Sequence, residues 1–173
     1  MNAIVHDTVG LVHLTTAVVA LVTGAWALYL PKRSRAHKRV GYAYAGAMVI
    51  MLITAFQIYA LFGSFGVFHW LAVISSITLV GGMVPVLLRW PAGNFLTYHF
   101  SFMYWSVVGL YMAFFGELAA RLPGLLDMSG DRIVQILLPA GVVALVFAVG
   151  AQIIWNKKKR EWTSTFGPSV ASH

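Results

Sequence analysis

The chain has no cysteine among its 173 residues. Disulfides, thiolate ligands and iron–sulfur clusters are therefore excluded, and any bound metal must rest on His, Met or carboxylates. Charge is scarce too: Asp, Glu, Lys and Arg make up 10% of the chain, and only 5 residues are acidic. A Gly-rich phosphate loop, a nucleophile elbow and an H-E-x-x-H pair are all missing, which removes the common NTPase, hydrolase and zinc-protease readings. The interiors of the long apolar runs hold no Asp, Glu, Lys or Arg, so the sequence offers no ion relay of the kind a transporter needs. The first ten residues lack the basic n-region and small-residue cleavage site of a secretory signal, so the first apolar run is expected to stay as a helix.

What remains is overwhelmingly apolar. A hydrophobic content of 60% and a mean hydropathy of +0.80 are wrong for a soluble core. Five runs are long enough to cross a hydrocarbon layer that needs about 20 apolar residues per helix. The expected helices lie near 9–30, 36–62, 68–88, 95–117 and 133–156, followed by a basic tail over 157–173 whose end has the composition of a disordered segment. The expected fold class is all-α: an integral membrane protein, one transmembrane domain of five helices. The first four form an antiparallel bundle, and the fifth packs outside it through Ala140, Ala144, Ala148 and Ala151 or Gln152.

The charges orient this domain. Lys32, Arg33, Arg35, Lys38, Arg39, Arg89, Lys157, Lys158, Lys159 and Arg160 fall on one side of the alternating connections, against Arg121 and Arg132 on the other. By the positive-inside rule the N-terminus is outside and the C-terminus cytoplasmic, in what is expected to be a bacterial inner membrane. The lipid bilayer is the first partner, and each basic residue at the cytoplasmic face gains about 1 kcal/mol against anionic headgroups. That accounts for the net charge of +7 without nucleic acid.

Between the first two runs lies the basic hinge Pro31–Tyr44, P-K-R-S-R-A-H-K-R-V-G-Y-A-Y. Pro31 ends the first helix and Ser34 is a candidate N-cap for the second, which puts His37 on a helical face with Gly41, Tyr44 and Met48. Gly63–Gly66 reads as a tight outer turn, and Gly81, Gly82 and Pro85 predict a kink or loosened inner end of the third helix. Gly109, Ala113 and Gly116 read as a small-residue packing stripe on the fourth, like Ala17, Ala20, Gly24 and Ala27 on the first.

Four of the six histidines lie at membrane levels and alternate by helix. His13 and His69 sit at the outer level on helices one and three, His37 and His99 at the inner level on helices two and four. Opposite helices of a four-helix bundle face each other across its axis, so each pair can point inward at its own depth. Two facing imidazoles are what a bis-histidine haem requires, and the two levels stack about 20 to 25 Å apart. The cations Arg33, Arg35, Lys38 and Arg39 would suit haem propionates.

The run K-x-x-x-x-H-K-R-V-G-Y-x-Y, then F-H-W-L, then H-x-x-x-M followed by G-L-x-x-A, resembles a family of small predicted bacterial membrane proteins of unknown function, over about residues 10 to 125. The alternate-helix histidine pairing is similar in architecture to transmembrane ascorbate-reducible dihaem b cytochromes. The leading expectation is thus an electron-transfer protein of b-type cytochrome character, with one or two haems b on His13 with His69 and His37 with His99. Two other readings stand beside it. A non-haem Zn, Cu or Fe site could draw on His6, His13 and His69 with Asp7 or Glu117. Alternatively the histidines are structural, and the protein is an accessory or scaffold subunit of a larger membrane complex, or a homo-oligomer.

Overall fold

The hydroxyl of Ser34 accepts the backbone N–H of His37 at 3.0 Å, the N-cap bond expected of a helix that starts inside the basic hinge. The computed structural model describes residues 8–58, 64–126 and 131–166, which form five helices: α1 Thr8–Tyr29, α2 Arg35–Ala55, α3 Val67–Leu88, α4 Phe95–Leu125 and α5 Asp131–Phe166. No strand occurs among the described residues. Four helices carry segments long and apolar enough to cross a membrane: Thr8–Tyr29, Val67–Leu88, Phe95–Leu122 and Pro139–Trp162. The chain is a helical membrane protein. α2 is less apolar, because Arg35, Lys38 and Arg39 occupy its first turns and its regular helix stops at Ala55 rather than near 62.

α1 packs along α2 and α3 along α4, while lighter contacts of α2 with α3 and α1 with α4 close a ring. α1 therefore lies opposite α3, and α2 opposite α4, the arrangement the histidine spacing requires. α5 packs on α4 from outside the ring. The ring's core is Ala20, Tyr44, Met48, Leu52, Leu79, Val107 and Leu110. A second cluster of Tyr104, Val108, Ala151 and Trp155 joins α4 to α5, with the Tyr104 hydroxyl donating to the Ala151 carbonyl at 2.6 Å. Ala151 is buried and Gln152 exposed, which settles which of the two belongs to the packing face. Outward-facing Val22, Ile77 and Val146 are each at least 60% exposed, a surface that suits lipid and not water.

Three local features add to the expectations. α3 runs through Pro85 to Leu88 and stops at Arg89, which takes the left-handed conformation. Gly81 and Gly82 serve close helix approach instead: a Cβ at Gly82 would meet the Met103 sulfur at 2.5 Å, and one at Gly81 the Phe102 ring at 2.9 Å. α5 continues to Phe166, past the expected helix end, because Trp155 and Trp162 pack in tilted and edge-on contacts around Phe100 and Tyr104 and give its last turns a partner. Part of the expected outer turn, Gly63, lies outside the described residues.

At mid-bundle Tyr44, wholly buried on α2, hydrogen-bonds Ser106 of α4 at 2.8 Å across the ring. Tyr44→Phe leaves the Ser106 hydroxyl in an apolar interior without its partner. The expected loss is about 0.6 to 1.7 kcal/mol, the range for hydrogen bonds between membrane helices. Denaturant unfolding in mixed micelles reads it, and an unchanged or raised midpoint would contradict this role.

Candidate functional site

Helix rise and connectivity bring the histidines to two levels. At the level expected to be the inner one, the rings of His37 and His99 are 6.5 Å apart between centroids and nearly perpendicular, at 88°. Each is held by its Nδ1. That of His37 lies 3.1 Å from the Ala27 carbonyl near the end of α1, and that of His99 lies 2.8 Å from the Gly82 carbonyl on α3. A carbonyl oxygen can only accept, so both Nδ1 atoms carry the proton, and both Nε2 atoms are left with a lone pair when the rings are neutral. A ligating histidine is commonly prepared this way, with its remote nitrogen anchored on a carbonyl.

A metal atom held between two imidazoles by bonds of about 2 Å places the ring centroids about 6 Å apart. The 6.5 Å between His37 and His99 agrees with that spacing. Rotation about the metal axis leaves it unchanged, so the perpendicular planes are compatible. Gly41 follows His37 by one turn, and a Cβ there would find no atom within 4 Å, which leaves open space on that face of α2. The cation nearest in effect is Lys32, which acts electrostatically on both rings. It is a residue that the charge pattern alone did not separate from its neighbours.

At the outer level His13 and His69 line one cavity of about 100 Å³, floored by Ala17, Leu21, Leu52, Ala72 and Leu110. The Nδ1 of His13 lies 3.1 Å from both the Met51 carbonyl and the Thr54 hydroxyl. Thr54 donates its own proton to the backbone of its helix, so it too accepts, and His13 has the same proton arrangement as the inner pair. His69 is the opposite case. Its Nδ1 accepts the Gly66 backbone N–H at 3.1 Å, closing the first turn of α3, so in the neutral ring the proton sits on Nε2. Ligand pockets usually enclose roughly 300 to 1,000 Å³, so the cavity shared by His13 and His69 is small beside them. Glu117 and Arg121, joined at 2.7 Å, line the same cavity.

The residues named for a non-haem metal divide between described and undescribed segments. His6 and Asp7 lie outside the described residues. Among the described ones no three His, Asp or Glu side chains converge as a ligand set. The tautomer of His69 had no signal in the spacing of histidines. It could have been sought in Gly66 standing three residues before it, where a side chain at that offset can reach back to the backbone of the capping residue.

No curated protein and no solved structure matches the chain. The family model described as a predicted membrane protein, DUF2306, matches residues 10–154. With five apolar-cored helices over that stretch and most of the chain covered, the protein belongs to this family of membrane proteins of unknown function.

Proposed function

We propose that the protein is a membrane-embedded electron carrier of b-type cytochrome character, with one haem held between His37 and His99. The observation that carries this reading is the inner pair itself: two imidazoles from opposite helices at 6.5 Å, each anchored through Nδ1 on a backbone carbonyl. Haem bound there supplies a one-electron couple. The chain's part is to present two neutral Nε2 lone pairs, fix both rings by carbonyls on α1 and α3, and place the Lys32 ammonium where a positive charge favours an added electron. The outer pair takes no macrocycle in this reading. It is a small polar-mouthed cavity above an apolar floor.

α2 crosses the membrane with its partners. His13 reaches Met51 and Thr54 at one end of α2 while His37 reaches Ala27 at the other, so α2 runs the length of α1 in the opposite sense. Its 21 residues extend about 31 Å, enough for the hydrocarbon core. With five crossings the basic hinge and the end of α5 share the cytoplasmic side, as the ten-to-two charge bias requires.

Protein expressed with ample haem and purified in detergent should show a Soret band and, after dithionite, the sharp α band of a six-coordinate b haem, at one haem per chain. A colourless protein with intact helical circular dichroism would overturn the cytochrome reading and leave the accessory-subunit one.

A further inference from the structure

Lys32 stands in the α1–α2 turn, half-buried, with its ammonium donating to the Ala27 and Leu28 carbonyls at 3.0 Å each and lying 5.5 Å from the centre of the Trp162 ring. Two carbonyls use two of its three protons. The helix end supplies only partial negative charge, and among the described residues no carboxylate pairs with it. The charge that acts on it is another cation, Lys158 of α5, whose own partner is Glu161 at 2.8 Å. Burial first, and Lys158 second, lower the Lys32 pKa from its ordinary value, so this turn holds positive charge against both its surroundings and its neighbour. Buried charges are normally compensated by a partner. Here Lys32, which acts electrostatically on the His37 and His99 rings, stands against the Trp162 wall with that compensation missing, and Lys158, already paired with Glu161, adds positive charge from a different helix.

We propose that Lys32 and Lys158, walled by Trp162, form an oxyanion site at the inner membrane face that receives the phosphate or carboxylate of an amphipathic ligand. The site is separate from the cations Arg35, Lys38 and Arg39, which are exposed on the first turns of α2. Trp162 covers one side of the Lys32 ammonium, and the Lys158 side chain is itself 48% exposed, within reach of a headgroup. The same oxyanion chemistry has two sources at this depth, the phosphate of an anionic lipid and a propionate of a haem on the neighbouring histidines. The second source rests on the reading proposed above.

The test uses the full chain, as Lys32→Gln and Lys158→Gln, with Lys32→Arg as a charge-preserving control. Native mass spectrometry of haem-free protein titrated with phosphatidylglycerol reads the lipid arm. Loss of either lysine should lower retained lipid about fivefold, while Lys32→Arg keeps it. Redox titration of haem-loaded protein reads the propionate arm. There Lys32→Gln should lower the midpoint potential, and loading with haem dimethyl ester should erase the difference between variant and parent. Either result supports the site and identifies the source. Unchanged lipid retention together with an unchanged potential overturns it. If the protein binds no haem, the lipid arm alone decides, and failure of the cytochrome reading remains distinguishable from failure of the oxyanion site.

Discussion

If the inner pair holds the proposed haem, His99→Ala protein is expected to lose it. The imidazole is one of only two ligands the inner pair supplies, and a b haem has no covalent tether, so removing one axial nitrogen leaves a single bond and a vacated pocket. Haem-to-protein ratio, by pyridine haemochrome on protein of matched helical content, should fall by about tenfold or more, beyond the effect of disturbing an outer partner. His37→Ala should do the same. The comparison that gives the experiment its force is His69→Ala. Its ring closes the first turn of α3 through the Gly66 N–H, so its removal should cost some stability and leave the haem in place. Full haem in His99→Ala, or loss of haem in His69→Ala with retained fold, would refute the assignment of the centre to the inner pair.

The pairing behind that prediction was legible in the sequence because it depends on two robust quantities. Helix rise sets the depth of a residue from its distance to the end of its run, and short connections make consecutive helices antiparallel. His13 and His69 thus had to share one level and His37 and His99 the other. Ser34 was equally legible, since a hydroxyl three residues before the first helical N–H to be satisfied is a local signal. The proton positions were not. Whether an imidazole anchors through Nδ1 on a carbonyl or accepts an N–H there depends on which backbone atom a neighbouring helix, or its own first turn, brings to it, and His13 and His69 fall on opposite sides of that distinction.

Lys32 was hidden for a related reason. In the sequence it is one of five cations in a hinge; in the fold the turn places Arg33 at φ 69°, in the left-handed region, and sends Lys32 back over the last turn of α1. A left-handed residue that is not glycine costs about 1 to 2 kcal/mol, and no pattern of charge reveals that the chain takes that conformation. The helical end of α5 has no signal in its own composition either. Its composition is that of a tail, and the tryptophans that hold it act only once α4 supplies Phe100 and Tyr104.

The glycines show the same division and give the largest expected change in stability. Gly24 and Gly109 both belong to stripes that read alike as packing surfaces. In the structure a Cβ at Gly24 would lie 2.8 Å from the Tyr44 ring and 3.2 Å from Val107, whereas one at Gly109 meets nothing within 4 Å. Gly24 is the point where α1, α2 and α4 meet, and the neighbour it would displace is pinned by the bond from Tyr44 to Ser106. Replacing a helical glycine by a better helix former gains up to about 1 kcal/mol from propensity, and overpacking a filled interior costs about 1 to 3 kcal/mol or more. At Gly109 only the first acts, so Gly109→Ala should raise the unfolding midpoint. At Gly24→Leu the second dominates, since three further carbons must enter a contact already tight at one. The net loss should reach about 2 kcal/mol or more, with the Tyr44–Ser106 bond broken as the ring is pushed aside. Unfolding in mixed micelles reads both variants, and Gly24→Leu in a Tyr44→Phe background reads the coupling. If the leucine removes that hydrogen bond, the two losses should fall short of additive. Full additivity would show that α1 gives way instead and that Tyr44 keeps its place.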